Sequence, residues 1–355
     1  MSRFMRARYQ AMEAYVPGEQ PKMTNLAKLN TNENPYAPSP KVLQVLQDEA
    51  LINSLRLYPD IAADGLITAL ADCYGLQKNQ VLAGNGSDEL LAFAFLAFGE
   101  SGLAFPDISY GFYPVWADLF GIEADVKPLK EDFTIDPADY CGNDRMVVIA
   151  NPNAPTGLLL SKEQIETILK ANPDQVVLID EAYIDFSDRD AASVDLLQKY
   201  ENLLIVRTFS KSRSLAGGRL GFALGSAELI EDLNKIKFSF NPYNVNALTM
   251  KAGEAAVLDS EYFASTCRKV KEQRQRLTEA LEQLGFTVLP SGANFIFARE
   301  PEGRGKEWQE ALRETGVIVR RFSLPRIQEW VRISIGTAEQ TDRLLKETET
   351  WLESR

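Results

Sequence analysis

The stretch TFSKSRSLAGGRLGF, residues 208–222, holds the side chains in this chain best placed to do chemistry. Lys211 stands between two serines just past the apolar run Leu203-Leu204-Ile205-Val206, and Gly217, Gly218 and Arg219 follow. Core packing does not account for two cations at the end of an apolar run, although a solvated pair would. An amine held in such a place can attack a carbonyl or carry a proton. The chain contains no histidine. That removes the serine–histidine and cysteine–histidine nucleophiles, the histidine general base and the common zinc sites. Acid–base work here falls to Lys, Asp, Glu or Tyr, or to a bound cofactor.

Other chemically suggestive residues also follow short apolar runs. GNGSDELL, residues 84–91, puts Gly86, Ser87 and Asp88 at the start of a predicted helix. Free backbone N–H groups and the helix dipole favour a phosphate there. Simple capping by Ser87 or Asp88 would explain the same residues. A dinucleotide fingerprint is not intact, because Glu89 occupies the third glycine position. PDISYGFYP, residues 106–114, offers Tyr110 as a ring face for a flat ligand, or as a loop tyrosine. NPNAPTG, residues 151–157, is a stiff turn with two X-Pro bonds. VVLIDEAY, residues 176–183, places Asp180 after four apolar residues, with Tyr183 three positions on. A buried carboxylate is costly unless paired or hydrogen-bonded, so Asp180 calls for a cation unless it caps a helix.

The elements that must position these groups alternate. From about residue 41, amphipathic helical segments interleave with short apolar runs that lack polar alternation, the pattern of a parallel sheet covered on both faces. Ser161 and Gln164 predict a capping box for a helix at 162–171. Ligands of open α/β sheets bind beyond the carboxyl ends of the strands, where these motifs fall. After about residue 245 a long helical stretch ends near Gly285, followed by short strands and two helices. The predicted fold is α/β: a large domain at 41–250 with a mostly parallel central sheet flanked by helices, and a smaller α+β domain at 251–355. An arm at 1–40, rich in Pro and Asn, is expected to pack with the small domain.

Composition narrows the classes further. The 355 residues are 45% hydrophobic and 25% charged, an ordinary globular balance. A net charge of −12 argues against a nucleic-acid or anionic-membrane surface. Cys73, Cys141 and Cys267 lie far apart, with no metal spacing. No apolar run reaches the length of a membrane span and no leader is recognised. A cytoplasmic protein with reduced thiols and no metal is expected.

One kind of ligand satisfies all these strand ends: a flat heteroaromatic ring with a nitrogen that profits from a carboxylate, a phenolic oxygen, a phosphate, and an aldehyde that condenses with an amine. Pyridoxal 5'-phosphate (PLP) has that chemistry. LNTNENPY, YPD, GNGSDE, NPNAPTG, DEAY, TFSKSRSLAGGRLGF and VRISIGT resemble, in order and spacing, the motifs of fold-type I PLP-dependent aminotransferases, most closely the histidinol-phosphate aminotransferase group. The resemblance runs from about Tyr15 to Thr337. It implies that Lys211 links covalently to the cofactor, that Asp180 pairs with the ring N–H, that Tyr183 bonds the phenolic oxygen and that Tyr110 stacks on the ring. The phosphate would be held by Gly86, by backbone around Ser87 and Asp88, and by Thr208, Ser210 and Arg219. Tyr58 of YPD would reach the cofactor of a partner subunit, making the enzyme a homodimer. Arg332, Arg320, Asn32 and a Tyr15 donated by the neighbour would line the substrate pocket. Arg321 would point to the opposite face of its strand from Arg320. One position departs from the pattern: Ala154 stands where the family often has an asparagine bonding the phenolic oxygen, which leaves Tyr183 alone or brings in Asn153.

The implied reaction moves an amino group from a small donor to a 2-oxo acid, with histidinol phosphate and 2-oxoglutarate as the implied pair. An aromatic or other amino-acid aminotransferase, or an enzyme like threonine-phosphate decarboxylase, would carry the same cofactor residues.

Overall fold

Uninterrupted apolar runs become strands with no exposed face. Val177 to Ile179 and Leu203 to Val206 are buried throughout, because helices cover both sides of the sheet they join. The computed structural model describes residues 2–15, 18–20, 25–187 and 191–354. The arm supplies β1 (Ala27–Lys28). The central sheet then takes β2 (Val81–Gly84), β3 (Leu103–Pro106), β4 (Ala124–Lys127) and β5 (Met146–Ala150). It is completed by β6 (Val177–Asp180), β7 (Leu203–Thr208) and β8 (Gly221–Leu224). Its order is β2-β8-β7-β6-β5-β3-β4. Only β8 runs against its neighbours; every other pair among β3 to β7 is parallel. The carboxyl ends of β5, β6 and β7 therefore open on one edge, side by side.

The edge strand β4 carries no apolar run. Its ADVK sequence alternates between exposed and half-buried positions, as suits a strand with one bare edge. Helices fill the connections. The helix Lys162–Ala171 starts with the Ser161–Gln164 capping box that the sequence predicts.

The smaller unit is a four-stranded sheet, β12-β13-β10-β9. It is built from β9 (Thr287–Val288), β10 (Phe295–Arg299), β12 (Arg320–Arg321) and β13 (Trp330–Ser334). The separate strand β11 (Val317–Ile318) pairs in parallel with β1, which joins the arm to this unit. Ala27 and Leu29 lie in the same apolar cluster as Val270, Phe286 and Trp308. The helix Ser260–Gln283 ends before Gly285, whose φ of +86° turns the chain where a side chain would be strained. The expected boundary at 250/251 falls inside a helix, Ala247–Val257. Met250, Ala252 and Ala255 to Val257 are buried with Leu66 and Leu70 in the large-domain core, so the change of unit follows Val257. Among the described residues no helix is long and apolar enough to cross a membrane.

Candidate active site

The strand ends converge on one cleft of two joined chambers. The inner chamber, about 360 Å³, is lined by Ser87, Tyr110, Asp180, Tyr183, Lys211 and Arg219, with Asp88, Thr208 and Ser210 also on its wall. The outer chamber, about 460 Å³, shares Tyr110, Tyr183, Lys211 and Arg219 and adds Tyr15, Asn32, Arg320 and Arg332.

Asp180 is the last residue of β6, 4% exposed. Its Oδ2 accepts from the Tyr113 hydroxyl at 2.9 Å and its Oδ1 from the Ala182 amide at 3.2 Å. Burial pushes its pKa up to about 6, with Tyr113 and Ala182 opposing the rise. No cation on the chain pairs with it among the described residues, so the chamber offers a buried anion that a ligand cation would complete. Lys211, three residues beyond β7, donates from Nζ to the Thr31 carbonyl at 3.1 Å and lies 5.7 Å from the centre of the Tyr183 ring. Tyr183 is held edge-on to Phe295 at 5.1 Å, and its hydroxyl accepts from Asn32 Nδ2 at 3.1 Å. Asn32 is fixed in turn: its backbone N–H donates to Ser334 Oγ at 2.8 Å, and its Oδ1 accepts from that hydroxyl at 3.0 Å.

The far end of the inner chamber is a cradle. Gly86, at the start of the helix Gly86–Phe98, has φ +79°, and a Cβ there would lie 2.7 Å from Arg219 Nη2. A Cβ at Gly221 would lie 2.5 Å from the Ser87 amide nitrogen. Both glycines are therefore needed to bring the helix start, Arg219 and β8 together. The Asp88 carboxylate accepts from Tyr110 at 2.8 Å and from Arg219 Nη2 at 3.0 Å. It thereby orients the Tyr110 ring and the arginine, while the helix start presents backbone donors. Burial, then Asp88, pushes the Tyr110 pKa far up, so this phenol stays a donor.

Under the cleft lies a buried ion pair. Arg207 of β7 donates from Nε at 2.9 Å and Nη2 at 2.6 Å to Glu181 Oε2. Its Nη1 reaches Tyr74 at 3.2 Å and Asp185 at 3.5 Å, and Asp185 accepts from Ser212 at 2.5 Å. The network ties the loop after Asp180 to the loop carrying Lys211. Glu181→Gln should cost about 3 kcal/mol of folding stability by leaving the buried guanidinium with only its longer contact to Asp185 as counter-charge. Chemical denaturation of the variant against wild type measures this.

One expectation changes. Asn153 does not face the cleft. Its Nδ2 donates to the Ile108 carbonyl at 2.9 Å and to Thr156 at 3.0 Å, and its Oδ1 accepts from Ser109 at 2.8 Å. Its side chain ties the turn, which contains cis peptides before Pro152 and Pro155, to the loop after β3. Tyr15 lines the outer chamber of its own chain, stacked on Phe112 at 4.0 Å. Arg8 donates to the Leu119 carbonyl at 2.9 Å, holding the arm against the same helix. Tyr58 is 80% exposed and stacks on Tyr243 at 4.4 Å, outside the cleft.

Arg320 and Arg332 are cross-strand partners on β12 and β13, facing the outer chamber. Arg332 Nη2 donates to the Asn30 carbonyl at 2.9 Å, but its buried Nε has no partner among the described residues. Burial lowers its pKa, partly opposed by Tyr183, and Arg320 lowers it further. No carboxylate is paired with either arginine among the described residues, a vacancy that suits an anion. Arg321 turns to the other face and donates to the Gln328 carbonyl at 2.6 Å.

Tyr113, the Asp88 carboxylate, Ser334 and the Glu181–Arg207 pair escape the sequence reading. Only the acid in the first turn of a helix and the Glu next to Asp180 left a trace. The donors suit PLP: a buried carboxylate for a ring cation, an amine for an aldehyde, a tyrosine for a phenolic oxygen, and a helix start with an arginine for a phosphate.

A parallel sheet with one reversed strand, bearing a lysine and a carboxylate on adjacent strand ends, defines a fold-type I PLP-dependent enzyme. The chain belongs to the aminotransferase class I and II family, whose model matches residues 24–347. It is 52% identical over 347 residues to histidinol-phosphate aminotransferase 1 of Pseudomonas fluorescens Pf-5, covering 97% of this chain and 98% of that one. The fold matches the histidinol-phosphate aminotransferase of Clostridium acetobutylicum with a TM-score of 0.85 at 26% identity, over 92% of this chain and 99% of that one. It also matches that of Sinorhizobium meliloti, solved with pyridoxal-5'-phosphate, with a TM-score of 0.84 at 24% identity, over 93% and 91% of the two chains.

Proposed function

We propose that the protein is a histidinol-phosphate aminotransferase, which uses PLP to move the amino group of histidinol phosphate to 2-oxoglutarate, reversibly. When bound, PLP supplies the electron sink that lets the donor's Cα–H bond break. The rest is done by the chain. Lys211 would hold the cofactor through its amine and, with that amine free, would move a proton at the reacting carbons. Asp180 would hold the ring N–H, Tyr183 would bond the phenolic oxygen, and Tyr110 would stack on the ring. Gly86, Ser87, the Asp88 backbone, Thr208, Ser210 and Arg219 would hold the phosphate. With Ala154 carrying no amide, Tyr183 would support the phenolic oxygen, and the Asn32 donor leaves its hydroxyl proton free for that bond.

The observation that carries the substrate class is the outer chamber's pair of arginines. A buried Nε without a partner, beside a second guanidinium, matches a phosphate dianion or a carboxylate better than an apolar donor end. Histidinol phosphate presents its phosphate there, and 2-oxoglutarate presents its distal carboxylate. Asn32 and Tyr15 complete the pocket wall.

Tyr58 is exposed and stacks on Tyr243, and Leu55 and Leu57, next to it in the chain, are each half exposed or more. This surface is proposed to form a homodimer that brings Tyr58 to the partner's cofactor phosphate. The expected compartment is the cytoplasm.

A donor panel with 2-oxoglutarate tests the reading. Histidinol phosphate should exceed phenylalanine and unphosphorylated histidinol in kcat/KM by about a hundredfold, the worth of roughly two charge-assisted hydrogen bonds. Arg332→Gln should erase most of that preference. Equal turnover of phenylalanine, or carbon dioxide release from phosphothreonine, would reassign the substrate.

A further inference from the structure

Tyr113 is fully buried in the helix Phe112–Phe120, and packing does not require its hydroxyl. Its ring meets Phe105 at 5.8 Å and Phe95 at 6.2 Å, surroundings that phenylalanine would fill equally well. A buried phenol needs a partner, and this one spends its proton on Asp180 Oδ2 at 2.9 Å. Burial, then Asp180, raises the Tyr113 pKa well above the ordinary tyrosine value, so the phenol keeps its proton and donates it to the ionised carboxylate. The same ring stands edge-on to Tyr110, centroids 5.6 Å apart at 87°. One side chain thus touches both the carboxylate and the ring proposed to stack on the cofactor.

We infer that Tyr113 is a positioning residue, which aims the Asp180 carboxylate at the cofactor's ring nitrogen and keeps the shared proton on the ring. The inference rests on the reading of Asp180 given above. A carboxylate has about four acceptor directions. Tyr113 takes one on Oδ2 and the Ala182 amide takes one on Oδ1, which prevents rotation of the group and leaves the remaining lone pairs for the chamber. Donation from Tyr113 also offsets the burial that makes this carboxylate favour its proton. Without the phenol, Asp180 competes better for the proton that the ring should hold.

The test loads wild type and Tyr113→Phe with PLP labelled with 15N at the ring nitrogen and reads the nitrogen resonance by NMR alongside kinetics. The resonance should move toward that of unprotonated pyridine. The kcat should fall about tenfold to a hundredfold, the range for a hydrogen bond to a charged group, and KM for the phosphorylated donor should stay within about twofold. The 3-fluorotyrosine substitution at position 113 keeps shape and hydroxyl but makes a stronger donor. It should move the resonance the opposite way, and it decides the question if the phenylalanine variant does not fold. A wild-type resonance with either substitution, even beside a lower rate, overturns the inference and leaves Tyr113 a packing residue. Asp180→Asn is measured in parallel: if its resonance also matches wild type, the reading of Asp180 is what failed.

Discussion

Lys211→Ala should abolish transamination and the visible absorbance of the cofactor-loaded enzyme near 400–430 nm, an approximate property of the lysine-linked chromophore. Among the described residues Lys211 is the only lysine lining the inner chamber, and its Nζ is held by the Thr31 carbonyl beside the Tyr183 ring. A covalent anchor and a proton carrier are lost together, because no histidine exists to replace the second role. General acid–base transfer alone contributes about a hundredfold to ten-thousandfold, so the loss should reach about a thousandfold or more. Spectra and single-turnover rates of the variant measure it, and a protein that transaminates normally without this amine would refute the assignment.

Asp180→Asn should retain the cofactor, through the phosphate cradle and Lys211, but lose most of its rate. An ion pair at about 4 Å with an effective dielectric of about 20 is worth roughly 4 kcal/mol, or about a thousandfold if fully expressed in the transition state. The same substitution should have the opposite effect on the folding stability of cofactor-free protein. Burial raises the Asp180 pKa from 3.8 to about 6. A raised pKa means that the native state binds this proton more tightly than the unfolded chain does. Wild type therefore loses stability as pH rises from about 4 to about 6 and carries a penalty of about 3 kcal/mol above that window. Asparagine carries no such charge. Cofactor-free Asp180→Asn should be the more stable protein at pH 8, by up to about that amount, and the gap should close toward pH 4. Denaturation of both proteins across this range reads the difference. A pH-independent gap would mean that the carboxylate is not strained by burial.

The central sheet and most of the cleft were legible because both follow local rules. Short apolar runs without alternation mark covered strands, and chemically active residues follow them at the carboxyl ends. Asp180, Tyr183 and Lys211 meet because β6 and β7 are adjacent and parallel, with Asp180 opposite Val206. Less local features were not legible. The charged edge strand β4 lacks the apolar signature of a covered strand. The helix Ala247–Val257 packs into the large-domain core through small residues, Ala252, Ala255 and Ala256, which mark no domain boundary in sequence. Tyr113 reads as one more apolar position of a helix, and its bond to Asp180 spans 67 residues. Asn153 is polar and within the right turn, yet Ile108, Ser109 and Thr156 engage its side chain. Tyr15 depends on where an arm without periodicity folds back, which the contact of Arg8 with Leu119 decides.

The most direct measurement is reduction of the cofactor-loaded enzyme with borohydride, followed by peptide mass mapping. The pyridoxyl group should be found on the peptide containing Lys211, and prior incubation with histidinol phosphate should prevent the labelling by releasing that amine. A pyridoxyl group on any other lysine, or none on a fully loaded and active enzyme, would contradict the account.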